Sequence, residues 1–255
     1  MRALAWAYLV AAFAFIYLPV GALVLFSFQG SGLPVPPFDG PSLQWYRDIL
    51  SDDDVMQALG NSLVVAFGAS ALATAFGFCA AYGLARHVLP GSALLRALLI
   101  APLTVSYLIV GLGLLIVLTR LGAGLSLWTA MVGHVVINLP LCFAIIYASM
   151  GAQQQNAERA ARDLGAREHQ VVLLVTVPML APAIAAAFFL SVTLSWDEFI
   201  ISFLLTRFDI TLPVEIWSML RSGLSPRLNA IGSFVFLISI AVVLLLELLV
   251  FRRRT

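Results

Sequence analysis

Six long apolar runs organise the chain: about Leu4–Phe28, Ser62–Leu84, Leu94–Leu118, Leu127–Ala148, Met179–Leu205 and Ala230–Phe251. Each has the roughly 20 mostly apolar residues an α-helix needs to cross a hydrocarbon core about 30 Å thick. The pattern predicts an all-α membrane protein with six transmembrane helices and one domain over residues 1–255. The first run follows Arg2, as a cleavable leader would, but it is too long for a leader's apolar core and lacks a small-x-small cleavage site. It is expected to stay as an anchored helix. Between the first two runs, segment 29–57 is rich in Gly and Pro and then reads Leu43-Gln44-Trp45-Tyr46-Arg47-Asp48-Ile49-Leu50. Helical spacing places Leu43, Tyr46, Ile49 and Leu50 on one side, which suits a short amphipathic helix at the interface. Its Trp–Tyr pair suits an aromatic belt.

Composition agrees with the pattern. The chain is 62% hydrophobic and 11% charged over 255 residues, against about 45–50% and 25% in soluble domains. Too few charges remain to keep that much apolar surface out of water, so a soluble enzyme and a disordered chain are both excluded. The Arg residues then orient the spans. Arg2, Arg86, Arg96, Arg159, Arg162, Arg167, Arg252, Arg253 and Arg254 fall on one side, against Arg47, Arg120, Arg207, Arg221 and Arg227 on the other. The positive-inside rule puts both termini and the loops around 86–93 and 151–177 in the cytoplasm. Glu247 is expected to snorkel to water or to pair with the Arg252–Arg254 cluster.

Several chemistries are missing. All fourteen basic residues are Arg, and without Lys no Gly-x-x-x-x-Gly-Lys phosphate loop can form. His87, His134 and His169 have no metal-ligand spacing. Cys79 and Cys142 both lie inside predicted spans and make no disulfide framework. His134, within the fourth run, reads best as a packed, hydrogen-bonded residue, with a proton or ligand role as the alternative. An energy source, if needed, sits on another chain.

The longest inner loop, 151–177, carries most of the charge between spans on that side. As a helix it places Ala157, Ala160, Ala161, Leu164 and Glu168 on one face, the first four small or apolar. Glu158 and Arg162 stand at i,i+4 and can pair. Gly165 ends the helix and Pro178 opens the next span, where its missing N–H does no harm. Composition leaves two readings open, a connector resting on the membrane and a docking helix for a soluble partner.

The loop resembles a known family. Arg159-Ala160-Ala161-x-x-x-Gly165, with Pro178 thirteen residues after the Gly, is similar to the Glu-Ala-Ala loop of ABC-importer permease subunits. Arg159 stands where that family usually has Glu, and Glu158 lies one residue early, about 100° around the helix. Trp45-Tyr46, Asn61-Ser62 and Ala80-Ala81-Tyr82-Gly83-Leu84-Ala85-Arg86 extend the resemblance over most of the chain. Ser195-Trp196-Asp197-Glu198-Phe199, Leu212-Pro213, Ser218-Met219 and 223–230 resemble the second permease subunit of spermidine/putrescine importers. Permeases for iron, opines, 4-aminobutyrate and phosphonates are similar.

The resemblance implies a type I ABC-importer permease fold in the bacterial cytoplasmic (inner) membrane and a role in import, not an enzyme. Its implied partners are a second permease subunit, two ATPase subunits holding ATP and Mg, an extracytoplasmic binding protein and the lipid bilayer, with no nucleic acid. It implies that Glu158, Arg159, Ala160, Ala161, Asp163, Leu164 and Gly165 couple the chain to the ATPase. The competing class is a channel or stand-alone secondary carrier, whose helix-break repeats are not evident.

Ionisable residues inside a span are costly and usually face a cavity or a partner. In the fifth run, Ser191, Ser195, Glu198 and Ser202 follow i, i+4, i+7 and i+11, a polar stripe if the helix is continuous. Asp197 follows Trp196 about 100° away, beside Thr193. The stripe is expected to line a substrate path where carboxylates favour a cation; alternatively the acids sit at headgroup level or pair with Arg207. Ala66, Ser70, Thr74, Gly77 and Ala81 form a small-residue ridge for close helix packing. Pro102 and Pro140 make the third and fourth runs kinkable.

Overall fold

The computed structural model describes residues 2–34, 36–87, 89–223 and 225–251, with side chains described over 4–34, 36–87, 89–223 and 225–241. Arg252–Arg254, the side chains of Arg2 and Glu247, and Leu224 of the 223–230 motif therefore lie outside the described residues. Among the described residues the regular elements are helical, apart from an isolated bridge between Gln29 and Pro41. The chain divides into two compact units, Met1–Leu59 with Val214–Thr255, and Gly60–Pro213.

In the first unit α1 (Arg2–Ser27) packs along α12 (Pro226–Phe251), with Leu23 against Gly232, where a Cβ would stand 3.1 Å from Leu23 Cδ1. The apolar window of α1 is otherwise unburied, as expected of a helix that is hydrophobic all round and meets lipid or another protein. The predicted interfacial helix is α2 (Gln44–Leu50), packed on α12. Only part of its expected face is covered: Ile49 is buried, whereas Leu43 and Leu50 are more than half exposed. Trp45 and Tyr46 are held by hydrogen bonds. Trp45 Nε1–H donates to the Gln29 carbonyl at 2.7 Å, and Tyr46 Oη lies 2.8 Å from Ser27 Oγ. Asp52 caps α3 (Asp53–Arg86), its Oδ1 accepting from the Asp54 and Val55 amides at 2.9 and 3.2 Å. Its other oxygen pairs with Arg227. Burial opposes charge on Asp52, but the Val55 amide, Arg227 and the Asp54 amide outweigh it and hold the carboxyl below its ordinary value.

The second unit is built around α6 (Leu127–Ala148), which carries the buried Ala130, Ile137, Cys142, Phe143 and Ile146. The ridge on α3 does what small residues permit. A Cβ at Gly77 would stand 2.8 Å from the Phe143 amide nitrogen, and Thr74 Oγ1 lies 3.6 Å from Cys142 Sγ. Beside α3, α9 (Val177–Trp196) runs along α6, and Cys142 Sγ donates to the Ala187 carbonyl at 3.7 Å.

Two of the six predicted spans need correction. The third is not a straight helix: α4 (Ser92–Ile100) tightens into a 3₁₀ turn at Ala101–Thr104, and α5 (Tyr107–Arg120) leaves at 107°. Pro102 cannot donate to the ladder, and Val105 and Ser106 are extended (ψ 139° and 135°). The fifth run, expected to continue to Leu205, stops at Trp196 and resumes as α10 (Ile200–Leu205). Pro140, by contrast, leaves α6 unbroken. Among the described residues four helices are long and apolar enough to cross a bilayer, and the number rises to five if the bent pair counts as one span. The apolar stretch Pro226–Ala241 of α12 is shorter than a span within the described side chains. A helix over Leu212–Ser222, α11, was not expected. Its start is fixed by the Asn61-Ser62 pair: Ser62 Oγ accepts the Leu212 amide at 2.8 Å and Asn61 Nδ2 donates to the Ile210 carbonyl at 3.0 Å.

Candidate functional site

The 151–177 loop folds as α7 (Ala152–Asp163), then α8 (Glu168–Val171) and a π-helical turn at Val172–Thr176 that runs into α9. Gly165 ends α7 with φ +87°, a left-handed conformation that suits glycine. The Gly165 amide donates to the Arg162 carbonyl at 2.8 Å and the Ala166 amide to the Ala161 carbonyl at 3.0 Å. This is the paired closure of a Schellman motif.

Glu158 is the fulcrum of the loop. Its side chain is fully buried and receives Arg86 in a two-pronged pair, Nε to Oε2 at 2.6 Å and Nη2 to Oε1 at 3.1 Å. Thr176 Oγ1 donates to Oε1 at 2.9 Å. One carboxylate thus joins the end of α3, the middle of α7 and the π-helical turn. A buried charge is tolerable only with such partners, because its desolvation must be offset by charge-assisted hydrogen bonds.

This arrangement corrects the expected i,i+4 pair. Arg162 does not meet Glu158; its Nε and Nη2 donate to Glu168 at 2.7 and 3.1 Å. The Gly165 turn folds Glu168 back over Arg162, while Glu158 points inward. Buried, Glu158 has no surface to offer a partner directly. The expected apolar face is split as well: Ala157 and Ala161 are half-buried, whereas Ala160 is exposed and Leu164 is 89% exposed. Arg159, Asp163 and Gly165 are exposed beside them.

The second candidate lies at the break between α9 and α10. Ser191, Ser195 and Ser202 are buried, but they do not form a stripe on one helix, because Asp197–Phe199 interrupts it. Ser195 and Ser202 meet on a third residue. His134 Nδ1 is 2.6 Å from Ser195 Oγ and His134 Nε2 is 3.0 Å from Ser202 Oγ. The histidine is therefore the packed, hydrogen-bonded residue expected, and it bridges the break. A neutral ring donates through one nitrogen and accepts through the other, so both hydroxyls are served without a charge.

Glu198 is buried and its Oε1 accepts the Ile201 amide at 2.9 Å, capping α10. Packing fixes the new direction: a Cβ on Gly133 would stand 2.5 Å from Ile201 Cγ2, and one on Gly111 2.7 Å from Leu204 Cδ1. The Leu205 carbonyl is taken by Thr129 Oγ1 at 2.8 Å and the Ser126 amide at 3.1 Å. The other acid turns outward: Asp197 is exposed with Thr193, and Trp196 is half-buried. Among the described residues neither acid pairs with Arg207, whose guanidinium lies 5.2 Å from the Phe208 ring centre.

Sequence reasoning missed Arg86 and Thr176 as partners of Glu158, and both serines as partners of His134. Arg86 carried a signal, as the charged end of the Ala80–Arg86 motif, but it was read for orientation and resemblance and not as a partner of the loop.

Comparisons with known proteins agree with this fold. A chain in the crystal structure of a bacterial ABC transporter that imports the acidic polysaccharide alginate superposes with a TM-score of 0.79 at 15% identity, covering 98% of this chain and 94% of that one. A chain of the alginate transporter in complex with its alginate pentasaccharide-bound periplasmic protein superposes with a TM-score of 0.74 at 14% identity, over 96% and 91%. The spermidine/putrescine transport system permease protein PotC of Escherichia coli (strain K12) is 28% identical over 97% of this chain and 94% of its own length. The putrescine transport system permease protein PotI of the same strain is 34% identical over 88% of this chain and 82% of its own. Residues 56–255 match the family described as the binding-protein-dependent transport system inner membrane component. Six apolar runs, a charged loop between the fourth and fifth, and a fold shared with importer permeases converge with that match: this chain belongs to the binding-protein-dependent inner membrane transport components.

Proposed function

We propose that this chain is one permease subunit of an ATP-driven importer that moves polyamines, spermidine or putrescine, into the cytoplasm. It acts with a second permease subunit, two ATPase subunits that hold ATP and Mg, and an extracytoplasmic binding protein that delivers the solute. The observation that carries the coupling role is the exposed tip of α7, with Leu164 89% exposed while Glu158 anchors the helix from behind. On this reading Ala160, Asp163, Leu164 and Gly165 meet the ATPase, Arg159 stands at the edge of that face, Ala161 backs it, and both termini lie in the cytoplasm with α7, as the Arg distribution supports.

The polyamine assignment rests on the two relatives above and on Asp197. An exposed carboxylate at the end of α9 attracts a cation by about 1 kcal/mol at 4 Å in water, and by about 4 kcal/mol at an effective dielectric constant near 20. Glu198 shapes the break through its hydrogen bond to Ile201. Ser191, Ser195 and Ser202 hold the path's wall rather than touch the solute, with Trp196 at its edge.

The test is uptake by the complete complex in proteoliposomes, with labelled putrescine and spermidine and with 4-aminobutyrate and ferric iron as competitors. ATP-dependent polyamine uptake that falls in Asp197→Asn while ATPase turnover persists is the expected result. Uptake without ATP would indicate a stand-alone carrier. Competition by 4-aminobutyrate or iron at full strength, with Asp197→Asn unchanged, would replace the polyamine assignment.

A further inference from the structure

A cavity of about 480 Å³ opens beside α7, where the end of α3 meets α8. It is lined by Tyr82, Arg86, His87, Arg159, Arg162 and His169, with Glu168 as its acid. Arg86 is taken by Glu158 and Arg162 by Glu168. Arg159 has no ion pair among the described residues and stands at the cavity with both exposed histidines. Counting Glu158 behind the wall, three arginines face two carboxylates, so the cavity is cationic without any contribution from the histidines.

Its location selects the anion. The cavity sits where α3 ends and the helix continuing into α9 begins, at the end of two apolar spans. Val172 lines it, and Leu173 and Leu174 continue outward with 62% and 72% of their surfaces exposed. A cationic, hydrogen-bonding pocket directly beside exposed leucines fits an amphiphile with a phosphate head and acyl tails. The geometry points to a binding site for an anionic phospholipid: the phosphate meets Arg159, His87 and His169, and the chains lie on Leu173 and Leu174.

The site leaves the docking face of α7 free. At about 100° per residue, Gln155, Arg159 and Arg162 share one strip of the helix. Ala160, Asp163 and Leu164 occupy the next strip, and Gln154 and Glu158 the buried one. Lipid and soluble partner can therefore engage the same helix together, and the lipid would fix the height of α7 against the bilayer surface.

The test uses the full chain purified with its partner subunits and placed in mixed phosphatidylglycerol and phosphatidylcholine, with retained lipid counted by native mass spectrometry. The wild type is expected to retain phosphatidylglycerol in preference to phosphatidylcholine. Arg159→Gln should cut that preference roughly fivefold, the worth of about one interfacial arginine, and Arg159→Lys should keep most of it. Where the arginine variant fails to assemble, Leu173→Ser with Leu174→Ser reads the acyl half of the site and should also lower retention. Equal retention of both lipids, or retention untouched by these changes, overturns the proposal. Displacement of phosphatidylglycerol by inorganic phosphate at matched concentration overturns the lipid and leaves a free-phosphate site.

Discussion

The α7 loop and the α9–α10 break solve the same problem with opposite chemistry. Each holds a short helix at a fixed angle to longer ones through a buried polar residue that bridges several elements. At the loop the bridge is charged: Glu158 takes Arg86 and Thr176. At the break it is neutral: His134 takes Ser195 and Ser202. The difference follows from location. At the end of the spans an arginine can supply the opposite charge while keeping part of its length near water. Within the apolar unit an unpaired charge would be costly, and a neutral imidazole with two hydroxyls satisfies every polar atom it brings. Each bridge also leaves one face open, Ala160 and Leu164 at the loop and Asp197 at the break.

That contrast is most exposed to a charge deletion. Glu158→Ala leaves Arg86 buried without its partner, and should destabilise the protein by about 3–5 kcal/mol. Thermal unfolding of the purified complex reads this; a change below about 1 kcal/mol would show that the bridge is not what holds α7. His134→Ala should cost less, because it removes two neutral hydrogen bonds worth about 0.5–1.5 kcal/mol each, and the freed serine hydroxyls can turn to helix carbonyls. If its cost equals that of Glu158→Ala, the distinction between charged and neutral bridges fails.

Gly165→Val tests conformation alone. A Cβ there meets nothing within 4 Å, so the penalty is the left-handed backbone, about 1–2 kcal/mol. On the coupling reading the same variant should abolish ATP-driven uptake while the complex still folds, and normal uptake would remove Gly165 from the coupling surface. The smallest effect on stability belongs to Leu164→Ser, within about 0.5 kcal/mol as for other exposed sites. ATPase stimulation should nonetheless drop. A variant that is both stable and fully coupled would show that the open face of α7 is not the one engaged.

Much of the fold was legible from hydropathy because a bilayer imposes its length on every span. The small-residue ridge was legible too, since close helix approach demands small side chains whatever the partner. The break after Trp196 was not. Helical periodicity placed Ser195 and Ser202 on one stripe, and they do converge, but through His134 and across a break in the helix. The bend after Thr104 was half-legible, since Pro102 announces a weak point and says nothing of an angle of 107°.

The candidate sites divide in the same way. Gly165 was readable as the end of α7 because a helix-ending glycine is a local signal, whereas Ala157, Ala160, Ala161 and Leu164 read as one face that packing splits into half-buried and exposed residues. Glu158 was readable as an acid on α7, yet its partner was assigned to Arg162, four residues on, when Arg86 lies 72 positions away. Spacing along one helix cannot rank a neighbour four residues distant against one brought in by another helix.

The sequence by itself determined the number of long apolar runs, their bias in Arg and the helix-ending role of Gly165, because these depend on bilayer thickness, charge and local backbone sterics. Only the tertiary structure decided which carboxylates are buried and which are free. Glu158 and Glu198 turn inward to partners and Asp197 turns outward, since a charge goes inside a protein only where packing has already placed the groups that satisfy it.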